Sequence, residues 1–233
     1  GTRGGLAEVP YAPCPVDSDT WARGAKALSQ AGRRVTVFPG LVCRDAAGQP
    51  DVMRGEEAQI FGALALDPEL AQGERMFVLP GTHSKWVRLH AGTIIGFATA
   101  MTGELHARLL GSSLAGDAPV ADERDEADGF VAGMASGQRG VPLAKALFGA
   151  RSGQLVDGQS QDWARGFLSG CLIGSEVAGL LADAPVRELI VIGDGQLIRR
   201  YRQAIESCGG EARLLSGEDC VFKGLEVARG ITG

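Results

Sequence analysis

The stretch Phe77-Val78-Leu79-Pro80-Gly81-Thr82-His83-Ser84-Lys85-Trp86 sets an apolar run directly against a polar one. Residues 77–79 read as a short buried strand that Pro80-Gly81 stops. A hydroxyl, an imidazole, a second hydroxyl and an ammonium then follow within four residues. Alternation resumes with Trp86, Val87, Arg88 and Leu89, turns at His90-Ala91-Gly92-Thr93, and returns with Ile94-Ile95-Gly96-Phe97. Strand, polar turn, strand, tight turn, strand predicts consecutive β-hairpins. The first turn can present backbone N–H groups and hydroxyls to an anion. Gly81, Thr82, His83, Ser84 and Lys85 are therefore candidate phosphate contacts, with Lys85 as counter-charge. The same residues also suit an ordinary hairpin turn whose Thr and Ser bond their own backbone.

Working outward, Val52-Met53-Arg54-Gly55-Glu56-Glu57-Ala58-Gln59 stands before this stretch, and Met101-Thr102-Gly103-Glu104-Leu105-His106 after it. The spacing of Ala58, Ile60, Phe61, Leu64 and Leu66 is helical, and Pro68 ends the pattern. Glu56 and Glu57 fall in its first turn, where the helix dipole favours an ionised carboxylate. Such a carboxylate can take a proton from an attacking hydroxyl, and it is equally a plain dipole partner. The Arg54 fork suits a carboxylate ligand or a surface bridge to one of the glutamates. Thr102 is a candidate N-cap for the next helix.

Together with residues 1–15, the blocks M-R-G-E-E, P-G-T-H-S-K-W and M-T-G-E-L-H resemble the 2-dehydro-3-deoxygalactonokinase family, and the resemblance runs to the carboxyl terminus. It implies an α/β, actin-like (ribonuclease H-like) two-lobe kinase fold. Residues 1–105 would hold the sugar site and phosphate hairpin, and residues 106–233 an adenosine-binding turn. The implied activity is ATP-dependent phosphorylation of 2-dehydro-3-deoxy-D-galactonate to its 6-phosphate in galactonate and galactose catabolism. ATP and Mg²⁺ are the implied cofactors. By this resemblance Glu56 or Glu57 is the catalytic base, and Arg54, Glu104 and His106 bind the sugar acid. Gly193, Asp194 and Gly195 would face the nucleotide. The bare strand-Gly-x-Gly-helix pattern at 193–195 is a common connector and lacks a dinucleotide fingerprint. Nothing in the chain matches the family's Asp-x-Gly-x-(Ser/Thr) loop for phosphate and metal. The first lobe is thus expected to be incomplete at its amino end, and these 233 residues alone to be inactive. A kinase for another sugar or sugar acid, and a non-catalytic sugar-acid or nucleotide-binding fragment, are the alternatives.

Composition sets further bounds. With 45% hydrophobic residues and a net charge of −5, the chain reads as globular, with no basic character to suggest a nucleic-acid partner. Cys14, Cys43, Cys171, Cys208 and Cys220 show neither disulfide-framework nor zinc-site spacing. No metal site is expected from the six acids between residues 117 and 128, which read as a solvated loop. The most apolar helix, 167–181, reads as too short to span a bilayer, so no membrane partner and a cytoplasmic setting are expected. A homo-oligomer is left open. There is no Walker-type phosphate loop.

The remaining pattern predicts a helix from near Trp21 to residue 29, a strand over 33–38, and a strand pair at 41–44 and 52–53. Helices are expected over 129–137, 142–148 and 163–181, with a linker at 152–161. The last third alternates strand 188–192, helix 197–207, strand 212–215 and helix 219–230.

Overall fold

The computed structural model describes residues 9–30, 32–111, 120–182, 186 and 188–232. Residues 1–8 of the family-like opening, and Asp117 of the expected acidic loop, lie outside them.

The first elements are β1 (Ala12–Pro13), α1 (Ser18–Arg23), β2 (Lys26–Gln30) and β3 (Arg33–Val37). The Asp17 side chain accepts a hydrogen bond from Thr20 N–H at 2.8 Å and caps α1. The expected helix to residue 29 stops early. Lys26 to Gln30 instead pair antiparallel with Arg33 to Val37, so hairpin pairing overrides the helix propensity of Lys-Ala-Leu. β4 (Leu41–Arg44) and β5 (Pro50–Met53) form the expected hairpin. Asp45 shapes its turn by accepting from the N–H groups of Ala47 and Gln49. β1 joins β4 in parallel, completing a three-stranded sheet. α2 (Glu56–Leu66) then leads through a 3₁₀ turn at Pro68–Ala71 into the main sheet.

That sheet holds β6 (Glu74–Leu79), β7 (Ser84–His90), β8 (Thr93–Ala100), β9 (Glu188–Gly193) and β10 (Glu211–Ser216), in the order β10-β9-β6-β7-β8. The first three strands are the predicted antiparallel meander, and β9 and β10 add in parallel beside β6. A meander of three strands extended by two parallel strands on its first member is the ribonuclease H-like arrangement of actin-like kinases. Parallel pairing of Met76 to Val78 with Leu189 to Val191 carries the sheet across residue 105, where the sequence reading set its edge between lobes. Strands from both sides of that point share one layer.

Alternate side chains of the central strands feed two cores. Phe77, Leu79, Ile190 and Ile192 pack with Trp21, Leu41, Met53, Ile60 and Phe61 on one face. Met76, Val78, Leu189 and Val191 pack with Phe130, Ile173 and Tyr201 on the other.

The helices after β8 are α3 (Thr102–Leu110), α4 (Glu123–Gly137), α5 (Leu143–Val156), α6 (Gln161–Leu181), α7 (Gly195–Ser207) and α8 (Gly217–Thr232). α4 begins within the expected acidic loop, because Asp122 caps it by accepting from the N–H groups of Arg124 and Asp125. α5 extends into the first half of the expected linker, ending at Val156, and buries Ala146, Ala150 and Gly153. α6 is longer than expected and is long and apolar enough to cross a membrane, yet 61% of its apolar window is buried inside the fold. It serves as a core helix here.

α4 and α6 touch backbone to backbone. A Cβ placed on Gly129, Gly133 or Gly137 would stand 2.0–2.2 Å from carbonyl oxygens of Trp163, Phe167 and Cys171, and Gly166, Gly170 and Gly174 meet α4 in the same way. α2 and α8 cross as closely at one place: a Cβ on Gly62 would lie 1.8 Å from Cys220 O, and one on Gly224 1.9 Å from Ala58 O.

Candidate active site at the carboxyl edge of the sheet

β6, β8, β9 and β10 all run in one direction, so their carboxyl ends share one edge of the sheet. The Gly81–His83 turn follows β6, and α3, α7 and α8 begin just beyond β8, β9 and β10. Crevices at such edges are where open α/β sheets bind ligands, and helix starts there direct N–H groups and positive dipole ends outward.

The Gly81–His83 turn is locked onto α3. Glu104 N–H donates to Thr82 O at 2.9 Å. A Cβ on Gly103 would sit 2.3 Å from Gly81 O, so only glycine allows this approach. Thr82 and His83 are exposed at the tip. His83 Nε2 lies 2.6 Å from Glu104 Oε2, and this bond holds the Glu104 carboxyl below its usual range. The hairpin and the predicted sugar ligand thus meet.

Ser84 and Lys85 do not belong to the turn. Both are inside β7, where Leu79 pairs with Lys85, and they face opposite layers. Ser84 Oγ donates to Glu176 Oε1 at 2.8 Å. Lys85 Nζ, 5% exposed, donates to Val52 O at 2.9 Å and to Thr99 Oγ1 at 2.8 Å. Thr99 in turn donates to Asp51 through its hydroxyl and its N–H. The lysine ties the two sheets together, which corrects its expected place as phosphate counter-charge.

Arg54 is likewise spent. Its Nη2 donates to Val9 O at 2.9 Å, its Nη1 to Phe38 O at 3.3 Å, and the guanidinium stacks 4.6 Å from the Tyr11 ring centroid. It ties residues 9–11 and Phe38 to the α2 start, with both Nη atoms turned to protein carbonyls and the Nε buried without a hydrogen-bond partner among the described residues.

At the start of α2, Glu56 is half-buried and Glu57 is 2% exposed. Glu56 Oε2 accepts from Arg54 N–H at 2.9 Å. Both Glu57 oxygens share the Gly55 N–H, at 2.9 and 2.8 Å. Burial pushes the Glu57 carboxyl up to about 7, outweighing that hydrogen bond. Helix position alone predicts an ionised group, and desolvation corrects that for Glu57. Gln59, one turn on, reaches Gly217 O at 3.5 Å, which brings the α2 start to the α8 start.

His106 points away from Glu104. It lines a cavity of about 40 Å³ with Gly81, Gly103, Ser169 and Tyr201. Burial holds its pKa below the usual value, and its Nε2 is buried without a partner among the described residues. At the Gly193–Gly195 turn, Gly195 has φ +69°, a conformation that favours glycine, and exposed Asp194 precedes α7. A Cβ on Gly217 would stand 2.9 Å from Asp194 Oδ2, so the α7 and α8 starts adjoin. Among the described residues no group of three His, Cys, Asp or Glu side chains could hold a metal ion.

The sequence reading missed Glu176. This α6 carboxylate, 9% exposed, accepts from Trp86 Nε1 and the Tyr201 hydroxyl, both at 2.7 Å, besides Ser84. The Thr102 hydroxyl donates to it as well. Thr102 thus begins α3 and caps nothing; Met101 occupies the capping position. The only signal in the sequence is an acid interrupting an apolar helix.

A ribonuclease H-like sheet with a polar hairpin turn and helix starts gathered along one edge is the frame shared by actin-like phosphotransferases, and comparison with known proteins assigns the chain to that class. A family model for 2-keto-3-deoxy-galactonokinase matches residues 1–228. The chain is 38% identical over 237 residues to a Rhizobium meliloti (strain 1021) protein described as a probable 2-dehydro-3-deoxygalactonokinase, DgoK1, covering 98% of this chain and 74% of that protein. It is 33% identical over 226 residues to the 2-dehydro-3-deoxygalactonokinase of Escherichia coli (strain K12), covering 97% and 74%. A crystal structure of a candidate 2-dehydro-3-deoxygalactonokinase from Sinorhizobium meliloti superposes with a TM-score of 0.84 at 37% identity, over 99% of this chain and 77% of that one. The chain belongs to the 2-keto-3-deoxy-galactonokinase family of sugar-acid kinases.

Proposed function

We propose that the protein transfers the γ-phosphoryl group of ATP to the 6-hydroxyl of 2-dehydro-3-deoxy-D-galactonate. The observation that carries this reading is the shared edge: the Gly81–His83 turn and the starts of α3, α7 and α8 lie along it, and Gln59 draws the α2 carboxylates toward it. The turn amides and Thr82, with the α3 start, take the terminal phosphates. Gly193, Asp194 and Gly195 face the adenosine. A cytoplasmic setting, where ATP is available, accompanies this reading.

Glu56 is the proposed base. It is more open than Glu57, and its Oε1 has no hydrogen bond among the described residues, whereas both Glu57 oxygens are turned onto Gly55 N–H. The Glu56 carboxylate takes the proton of the 6-hydroxyl as that oxygen bonds to phosphorus, and the bond to the β,γ-bridging oxygen breaks to release ADP. Mg²⁺ arriving with the nucleotide would neutralise the β- and γ-oxygens. The exposed His83–Glu104 pair beside the turn is a proposed contact for sugar hydroxyls, and His106 faces the inner cavity, on the nucleotide side of α3.

The test is ADP formation by the full-length protein with ATP, Mg²⁺ and either 2-dehydro-3-deoxygalactonate or its C4 epimer, with the product located by ³¹P NMR. A 6-phosphate formed preferentially from the galactonate compound is expected. Preference for the epimer would move the protein to another sugar acid. Nucleotide binding without turnover would favour a binding role.

A further inference from the structure

A carboxylate buried in a core helix is costly unless donors surround it. Around Glu176 the donors come from the elements that form the site's edge. Ser84 is the first residue of β7, directly after the phosphate turn. Thr102 is the first residue of α3, which clasps that turn. Tyr201 sits on α7, which begins at the nucleoside turn. Trp86 adds a second bond from β7. None comes from α2 or from the loops around Arg54. Apolar residues of similar volume generally stabilise a core as well as a buried charge does, so bulk stability gives little reason for a carboxylate here. What it does that an apolar side chain does not is fix three elements at one point.

We infer that Glu176 is a positioning residue for the nucleotide: through Ser84, Thr102 and Tyr201 it sets the spacing between the phosphate turn and the nucleoside turn. A triphosphate with its nucleoside must span both. The spacing therefore enters nucleotide binding and alignment, while the α2 side of the site is untouched and the His83–Glu104 pair stays together, because the turn and α3 that carry it are clasped to each other by the Glu104 N–H bond to Thr82 O. Glu176 itself meets no substrate, since it is buried and its two oxygens already accept from four donors. The inference rests on the kinase reading above.

The test is Glu176→Gln in the full-length protein, which keeps the volume and replaces one accepting oxygen by an NH₂ group. Because misplacement of about an ångström can cost on the order of 10²-fold, KM and calorimetric Kd for ATP should rise at least ~10-fold, with the KM for the sugar acid within ~2-fold. Leu168→Ala is the control: Leu168 is fully buried on the same helix in a separate core cluster with Ala146 and Ala150. It should lower Tm with ATP KM unchanged, as a purely structural change does. An unaltered ATP Kd in Glu176→Gln, or equal shifts for both substrates, overturns the inference. If Glu176→Gln does not fold, Tyr201→Phe and Ser84→Ala each remove one donor. Each should then raise the ATP Kd measurably, and wild-type Kd in both overturns the inference. Wild-type protein that binds no ATP overturns the kinase reading, and this inference falls with it.

Discussion

Two buried carboxylates flank the proposed nucleotide site, and they are held in opposite ways. Glu57, at the start of α2, has a single backbone N–H shared between its oxygens, and burial pushes its carboxyl to about 7. Glu176, in the middle of α6, is ringed by four donors from three elements. Burial with few donors makes a group whose charge responds to ordinary pH. Burial with donors from several elements makes a joint. The first kind stands beside the proposed chemistry, the second in the framework.

The largest effect expected from this contrast is at its chemical end. Glu56→Gln should lower kcat by ~10²–10⁴-fold, the range for loss of a general base. Glu57→Gln, which keeps a carboxamide on Gly55, should stay within about tenfold. Steady-state kinetics of the two variants decide it, and the reverse order would make Glu57 the base.

A smaller effect concerns stability. The Glu57 carboxyl is raised from 4.5 to about 7 in the folded chain, so between those values the folded state holds a proton that the unfolded state has lost. Its contribution is complete below pH 4.5 and is lost as pH rises through 7, amounting to about 3 kcal/mol at most. Urea unfolding of wild type and Glu57→Gln at pH 5 and pH 8 should show wild type losing stability relative to the variant at the higher pH. A pH-independent difference would mean that Glu57 is not the protonated group.

The smallest expected effect tests the framework side. Because the Lys85 ammonium is committed to Val52 O and Thr99 Oγ1, Lys85→Met should change the KM for ATP by less than about twofold while lowering Tm, as loss of buried hydrogen bonds does. A tenfold rise in that KM would return the lysine to the phosphates.

The meander and the last strand–helix alternation were legible because alternation at period two, and apolar runs bounded by Gly and Pro, depend only on neighbours in sequence. The hairpin turn and the Gly193–Gly195 turn were legible for the same reason. Ser84 and Lys85 were misplaced because the strand resumes two residues before the alternation at Trp86, and its pleat sends the two side chains into different layers. Arg54 finds its acceptors 16 and 45 residues away, and Glu176 its donors 25 to 92 residues away. No local pattern encodes such partners. Residues 26–30 carry a helix-compatible composition, and only the strand at 33–37 decides their conformation.

The two glycine contacts have different mechanical meanings. α4 and α6 meet at three successive glycines on each side, as two rails meet along a seam, which fixes both their distance and their angle. α2 and α8 meet at a single glycine pair, Gly62 and Gly224, as two bars meet at a pin, and core side chains around it, Ala58, Cys220 and Ala228 among them, hold their angle. The seamed pair contains Glu176 and stands behind the proposed nucleotide half of the edge. The pinned pair carries Glu56 at one end. The proposed base is thereby mounted on a helix whose tilt is set by side-chain packing in the core rather than by a glycine seam.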